Sequence, residues 1–210
     1  MVARIVVLIS GSGTNLQALI DNVASFPAEI VHVFSSSATA YGLTRASNAN
    51  IPTSVHSLKT YYTDIPKEDK SKRQIARNKF DSDLASKIEQ LKPDIVVCAG
   101  WMLILSPSFL QPMSKICDVI NLHPALPGCF AGTHAIERSW EAGQKGEITN
   151  GGCMVHYVIE EVDGGKPIIV ETVDVRKEES CDDWEARIHA KEHKAIVAGT
   201  KVVLKRQGKL

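Results

Sequence analysis

The segment Arg4-Ile5-Val6-Val7-Leu8-Ile9-Ser10-Gly11-Ser12-Gly13-Thr14-Asn15 decides the fold. Its first half is short, apolar and rich in β-branched residues, which is typical of a buried strand in a parallel sheet. A glycine loop follows, and after it apolar residues recur at helical spacing, at Leu16, Leu19, Ile20 and Val23. A strand, a tight loop and a helix in this order predict the first unit of an α/β sheet.

The rest of the chain alternates between predicted strands and helices. Strands are predicted at 30–35, 54–56, 94–99, 116–120, 154–159 and 168–175, and helices at 42–48, from 107, at 133–142 and at 180–199. Residues 66–91 carry apolar side chains on one helical face, although residues 67–79 fit a solvated loop equally well. The alternation predicts an α/β fold with a Rossmann-like open, mostly parallel twisted sheet flanked by helices. The last two strands predict an antiparallel extension near the C-terminus, within a single domain of residues 1–210.

The composition argues against several classes of partner. Of 210 residues, 44% are hydrophobic, and 24 basic residues balance 24 acidic ones. A net charge of zero gives no global attraction to nucleic acid or to an anionic membrane, so any phosphate must be bound locally. The apolar run 5–9 is too short for a signal peptide or a membrane span. Five cysteines without a Cys-x-x-Cys pair indicate reduced thiols, and therefore a cytoplasmic protein.

The glycine loop predicts a phosphate site. Gly11 and Gly13 let backbone N–H groups approach an anion, and the N-terminus of the following helix favours negative charge. The third glycine of a dinucleotide loop is replaced by Leu16, and residues 35–37 are serines where a ribose-binding acid is expected. The loop therefore suits a single phosphate, although a plain turn between strand and helix explains the same residues.

An acid–base set follows the strand predicted at 116–120. Asn121 and His123 are two residues apart, so in an extended chain they project to the same side, at the sheet edge where α/β folds bind ligands. Asp163-Gly164-Gly165 is a turn signal by itself. As part of the site, Asp163 is expected to pair with His123, to raise its pKa and so to make the imidazolium available as an acid. Such a set can move an acyl group.

A carboxylate also lies on the apolar stripe of the last predicted helix. Trp184, Ile188, Glu192 and Ile196 follow one another in steps of four, and a charge in such a stripe needs a partner. Glu192 is therefore either a ligand-binding residue or part of a buried salt bridge. The run His189-Ala190-Lys191-Glu192-His193 also matches an inverted zinc-peptidase motif, but a further ligand downstream is missing, so no metal is expected.

Further motifs accompany the glycine loop and the acid–base set. They are Ala99-Gly100-Trp101-Met102, Ile104-Leu105-Ser106-Pro107, Val155-His156-Tyr157 and Glu192-His193. Together with residues 5–17, 121–124 and 163–165, they make the chain resemble the phosphoribosylglycinamide formyltransferases, the folate-dependent glycinamide ribonucleotide transformylases of purine synthesis. The resemblance runs from residue 3 to residue 199.

The resemblance implies transfer of a formyl group from 10-formyltetrahydrofolate to the amine of 5'-phosphoribosylglycinamide, without a metal. The implied catalytic residues are Asn121, His123 and Asp163. The ribonucleotide would contact Gly11, Gly13, Thr14, Asn15, Gly100, Pro124 and Glu192, with the phosphate on the loop and the glycinamide end at Glu192. The folate would contact Arg77, Met102, Leu103, Ile104, Leu105, Asn121, Ile159, Glu160, Glu161, Val162 and Asp163.

The chain departs from the family pattern in places. Leu103 occupies a position that is often basic, the loop 125–132 lacks a usual Leu and Tyr-Pro, and the segment 144–153 is longer. The alternatives left open are a sibling formyl-tetrahydrofolate hydrolase, another formyltransferase, and a catalytically silent phosphate-binding module. The expected partners are small molecules, with no nucleic acid and no membrane, for a monomer or weak homodimer.

Overall fold

A computed structural model describes residues 2–210 and centres on a seven-stranded sheet. The strands are β1 (Ala3–Ile9), β2 (Ala28–Ser35), β3 (Thr53–Val55), β4 (Ile95–Cys98), β5 (Asp118–His123), β6 (Asn150–Tyr157) and β7 (Pro167–Asp174). The helices are α1 (Thr14–Val23), α2 (Gly42–Asn48), α3 (Leu58–Tyr61), α4 (Lys70–Gln90), α5 (Pro107–Met113), α6 (Ala135–Gln144) and α7 (Cys181–Arg206).

The order of the strands is β3-β2-β1-β4-β5-β6-β7. The pairs β2–β3, β1–β2, β1–β4 and β4–β5 are parallel, whereas β5–β6 and β6–β7 are antiparallel. The predicted mostly parallel sheet with an antiparallel C-terminal extension is therefore confirmed. The chain order reverses direction between β1 and β4, and this switch point is where open α/β sheets form a ligand crevice.

Two apolar layers cover the sheet. Alternate residues of β1 point to opposite faces: Ile5, Val7 and Ile9 pack with α1 and α7, while Val6 and Leu8 pack with α4 and α5. Burial on both faces explains why β1 is continuously apolar, because neither face can carry a polar side chain without a partner.

Several element bounds differ from the sequence prediction. Strand β5 continues through His123 instead of ending at residue 120, because residues 120–123 pair with β6. Helix α7 continues to Arg206, past Gly199, because the buried Val203 and Leu204 prolong its apolar stripe. Residues 70–90 form a helix, so the solvated-loop alternative is wrong there, and the short helix α3 was not predicted. Within residues 2–210, no helix is long and apolar enough to cross a membrane.

Candidate active site

A cavity of about 540 Å³ lies beside the carboxyl ends of β1, β4 and β5. This is the size and position typical of a small-molecule site in an α/β fold. Most of the residues predicted to bind or react line it: Gly11, Gly13, Thr14, Asn15, Gly100, Met102, Leu103, Ile104, Leu105, Asn121, His123, Pro124, Ile159, Glu161, Val162, Asp163 and Glu192. Residues that are far apart in sequence thus share one cavity.

The C-terminal end of strand β5 supplies the amide of Asn121 and the imidazole of His123. Asn121 faces His156 across the antiparallel ladder with β6, and its Nδ2 atom lies 3.2 Å from the His156 Nε2 atom. His123 is 3% exposed. Because pairing with β6 fixes the backbone of β5, the two side chains are held on a rigid strand rather than on a loop.

The Asp163 carboxylate joins these groups together. Its Oδ2 atom lies 3.3 Å from His123 Nδ1 and accepts the Gly132 N–H at 2.9 Å. Its Oδ1 atom lies 3.4 Å from Asn121 Nδ2 and 3.5 Å from His156 Nε2. The predicted pairing of Asp163 with His123 is therefore present in the structure, and His156 is a fourth member of the cluster.

The charge state predicted for His123 needs a correction. Burial lowers the pKa of His123 below its ordinary value; the Asp163 carboxylate opposes this shift, and His156 adds to it. Asp163 therefore raises the pKa of His123, as expected, but the expected net rise is wrong, because desolvation outweighs one partner charge. For the Asp163 carboxyl, burial favours a higher pKa, but hydrogen bonds from His156 and Gly132 bring it below its ordinary value.

The second ring nitrogen of His123 is available to a ligand. Its Nε2 atom is buried and has no hydrogen-bond partner among residues 2–210. Buried polar atoms are rarely left unpaired, so such an atom facing a cavity indicates a place for a polar ligand group. With Nδ1 directed to Asp163, Nε2 is the atom that can exchange a proton or a hydrogen bond with that group.

The glycine loop presents the N-terminus of α1 to the cavity. Gly13 is the N-cap residue with a left-handed φ of 71°, and no side chain caps the helix. The loop packs closely on the next helix, since a Cβ atom on Gly13 would lie 2.6 Å from the Cα of Gly42. The first N–H groups of α1 are thus left for an outside acceptor, as a phosphate site requires.

Glu192 occupies the buried position predicted for it on α7. It is 4% exposed, its Oε2 atom accepts from Asn15 Nδ2 at 3.3 Å, and burial raises the pKa of its carboxyl. His189 Nε2 lies 3.8 Å away. In the described part of the chain, no lysine or arginine forms an ion pair with Glu192, so its partners are an amide and an imidazole rather than a strong salt bridge.

The opposite end of the cavity is apolar. Met102, Ile104, Ile159 and Val162 are large hydrophobic residues that stay exposed there. Exposed apolar groups that converge on one cavity indicate a site for a flat, largely apolar ligand.

Two residues predicted for the folate site do not line the cavity, Arg77 and Glu160. Arg77 lies behind the segment 102–105: its guanidinium donates to the carbonyl oxygen of Ile104 and pairs with the fully buried Asp81. His156 belongs to the motif Val155-His156-Tyr157, but the local sequence pattern predicted no role for it. Alternation along β6, together with the pairing of β6 with β5, is the signal that places it beside Asn121.

The inverted zinc-peptidase motif has a different geometry from a metal site. The rings of His189 and His193 stack with centroids 6.4 Å apart. Among residues 2–210, no group of three or more His, Cys, Asp or Glu side chains is arranged to hold a metal ion.

Comparisons with known proteins agree with this geometry. Residues 3–200 match the formyl transferase family. The chain is 53% identical to the phosphoribosylglycinamide formyltransferase of Saccharomyces cerevisiae, over 96% of this chain and 97% of that protein. It is 53% identical to the enzyme of the same name from Schizosaccharomyces pombe, over 94% and 95%. The crystal structure of glycinamide ribonucleotide transformylase 1 from Symbiobacterium toebii superposes with a TM-score of 0.81 at 32% identity, covering 99% of this chain and 89% of that one. The chain therefore belongs to the formyl transferase family.

Proposed function

We propose that this chain transfers the formyl group of 10-formyltetrahydrofolate to the amine of 5'-phosphoribosylglycinamide, which gives formylglycinamide ribonucleotide in de novo purine biosynthesis. The observation that carries the proposal is the position of the cluster of Asn121, His123 and Asp163. It lies between a loop suited to phosphate and an apolar rim suited to a pterin. The high identity to fungal enzymes named for this activity supports it further.

The two substrates bind at opposite ends of the cavity. The phosphate of the ribonucleotide binds the N–H groups that begin α1, and its glycinamide end passes Glu192 towards His123. Gly11, Gly100 and Pro124 line this half of the cavity. The folate lies along residues 102–105 and 159–163, so that its formyl group meets the amine beside His123 Nε2.

The reaction exchanges one carbon–nitrogen bond for another. The amine attacks the formyl carbon, and negative charge develops on the formyl oxygen. The Asn121 amide has two N–H bonds; one is directed to the His156–Asp163 pair, and the other donates to this oxygen. A water held by Asp163 carries a proton from the attacking amine to N10 of the folate, which leaves as tetrahydrofolate.

The second proton of His123 comes from solvent, and the negative charge that develops on the substrate keeps it on Nε2. Burial favours the neutral ring. As the formyl oxygen beside Nε2 becomes an anion, it favours the charged ring, and the Asp163 carboxylate supports that charge from the Nδ1 side. His123 then donates a hydrogen bond to the oxygen and stabilises the tetrahedral intermediate.

We infer that the enzyme is a cytoplasmic protein of one domain. Residues 1–210 act as one domain, since one sheet and its two apolar layers span the described chain. All five cysteines are free thiols, which fits a reducing cytoplasm. The protein acts as a monomer or weak homodimer on small-molecule substrates.

One assay separates the candidate functions. Tetrahydrofolate is measured by absorbance with 10-formyltetrahydrofolate present, in the presence and absence of 5'-phosphoribosylglycinamide, and formylglycinamide ribonucleotide is identified by mass spectrometry. Formation of both products only with the ribonucleotide supports the proposal. Tetrahydrofolate without the ribonucleotide indicates the hydrolase instead, and no product in either mixture indicates a silent binding module or a formyltransferase for another amine.

A further inference from the structure

The cavity that would hold the ribonucleotide lacks a permanent positive charge. Within residues 2–210, none of its lining side chains belongs to a lysine or an arginine. Its carboxylates are Glu137, Glu161, Asp163, Glu185 and Glu192. A phosphate carries close to two negative charges, and helix-terminal N–H groups supply only about half a positive charge. The phosphate therefore needs cations from outside this cavity.

Such cations lie on the other side of the glycine loop. A second cavity, of about 630 Å³, runs between α1 and α7, and Thr14 lines both cavities. The basic side chains that line it are Arg45, His193, Lys194 and Lys201. The two cavities thus meet at the first residue of α1, where the first N–H groups of the helix have no side-chain cap.

Arg45 is held directly against the loop. Its Nε atom donates to the carbonyl oxygen of Ser12 at 2.9 Å, and its Nη1 atom donates to Gln17 Oε1 at 3.3 Å. Its guanidinium also lies 5.0 Å from the centre of the Tyr41 ring. Among the described residues, Arg45 has no carboxylate partner, so its charge is not neutralised within the chain.

His193 stands on the opposite wall, one residue after Glu192. Its Nε2 atom is buried and has no hydrogen-bond partner within residues 2–210. Glu192 faces the first cavity and His193 the second, so consecutive residues of α7 reach both sides of the loop. A buried ring nitrogen without a partner indicates a missing polar partner, and a phosphate oxygen is a suitable one when this nitrogen carries the proton.

We propose that Arg45 and His193 complete the phosphate site, binding from the α1–α7 side the same phosphate that the N–H groups of α1 bind from the front. Their ligand is a phosphate monoester, the one on the ribonucleotide. This inference rests on the proposed function for the identity of that substrate.

The matched variants Arg45→Gln and Arg45→Lys test the charge. Both can donate to the Ser12 carbonyl and so support the loop, but only lysine keeps the cation. Because a hydrogen bond to a charged group contributes about 1.5–3 kcal/mol, Arg45→Gln should raise KM for the ribonucleotide about 10–150-fold. The kcat value and KM for the folate should change little, and Arg45→Lys should restore most of the affinity.

His193→Leu should also raise KM for the ribonucleotide, whereas His193→Gln, which keeps a donor, should raise it less. The control is Lys194→Met, because Lys194 is exposed in the same cavity and its loss changes the net charge as Arg45→Gln does. Circular dichroism establishes that each variant is folded. A ribonucleotide KM that rises equally in Arg45→Gln and Lys194→Met would overturn the inference, as would one that stays unchanged in both Arg45→Gln and His193→Leu.

Binding of inorganic phosphate, measured by calorimetry, separates this inference from the proposed function. Loss of phosphate binding in Arg45→Gln supports the site even if the wild-type chain forms no formylglycinamide ribonucleotide. Normal turnover by the wild type, with equal phosphate binding by the wild type and Arg45→Gln, refutes the site and leaves the proposed function intact.

Discussion

The Oδ2 atom of Asp163 lies 3.3 Å from Nδ1 of His123, and the same oxygen accepts the N–H of Gly132. One carboxylate oxygen thus contacts both the buried ring at the end of β5 and the loop that follows it. A change at Asp163 should therefore affect the charge of the ring and the position of the loop together.

We expect Asp163→Asn to lower kcat for formyl transfer about 10²–10⁴-fold. The neutral amide cannot support a cationic His123 or position a proton-carrying water as the carboxylate does. Single-turnover measurement of tetrahydrofolate checks this. Asp182→Asn, at an exposed position in the first turn of α7, is the matched control and should retain wild-type turnover. Near-normal turnover by Asp163→Asn would mean that another group supports the charged His123 ring and positions the water.

The same variant should lower the pKa of His123 further. Burial already lowers it, and Asp163 is the carboxylate that opposes the shift by stabilising the charged ring. Without that carboxylate, a smaller fraction of His123 is protonated at any pH near its midpoint. Titration of the ring by NMR, with the His123 signal assigned from His123→Asn, measures the change. An unchanged or higher pKa in Asp163→Asn would show that the charge is supported from elsewhere.

The prediction for Arg77 concerns stability as well as folate affinity. Arg77→Met leaves the Asp81 carboxylate fully buried without its cation, so the free energy of unfolding should fall by about 3–5 kcal/mol. The folate KM should rise, because the guanidinium no longer holds the Ile104 carbonyl. Urea unfolding and steady-state kinetics measure the two effects.

The control on the same helix is Lys79→Met. Lys79 pairs with Asp83 at the surface, and its side chain is 67% exposed, so breaking that pair should barely change the unfolding free energy or the folate KM. Equal unfolding free energies for the two variants would contradict the assigned role of the buried pair.

The two glycines after Asp163 should differ in their tolerance of alanine. A Cβ atom on Gly165 would overlap the carbonyl oxygen of Tyr157 on β6, which cannot move without disturbing the sheet. A Cβ atom on Gly164 meets only the side chain of Glu161, which can turn away. Gly165→Ala should therefore destabilise the fold by about 1–3 kcal/mol and lower kcat, because Asp163 shifts from His123.

Gly164→Ala should keep both the thermal midpoint and kcat close to wild-type values. Thermal unfolding and steady-state kinetics of the two variants test this difference. If Gly165→Ala is tolerated better than Gly164→Ala, the close approach of this turn to β6 does not explain the glycine at position 165.

Local patterns were sufficient to predict most of the fold. The β-branched run of β1 predicts a strand, and the spacing of Leu16 and Leu19 predicts a helix. The structure contains both. The end of β5 could not be predicted in this way. Asn121 and His123 are polar, and only their pairing with β6, which is distant in sequence, keeps them in a strand. Gly199 likewise suggested a helix end, but a Cβ there would meet Val155, so packing explains the glycine.

In the candidate site, too, local patterns predicted some features, and others depended on contacts between distant residues. Residue types and spacing indicated Asn121, His123 and Asp163 as one set and Glu192 separately as a buried carboxylate, and the cavity contains all four. The lowered pKa of His123 depends on how completely the folded chain excludes water, which a sequence pattern does not contain. The role of Arg77 behind the segment 102–105 depends on helix packing in the same way.

The antiparallel ladder between β5 and β6 also bears on how this chain tolerates insertions. Asn121 and His156 face each other because of the strand register, not because of the length of chain between them. Residues 144–147 of that intervening chain are exposed. Added residues there can bulge into solvent while the ladder keeps its alignment, so the longer connection predicted for this segment should leave Asn121 and His156 in place. The same exposed turn is therefore a suitable place to graft an affinity tag or a reporter peptide without loss of turnover.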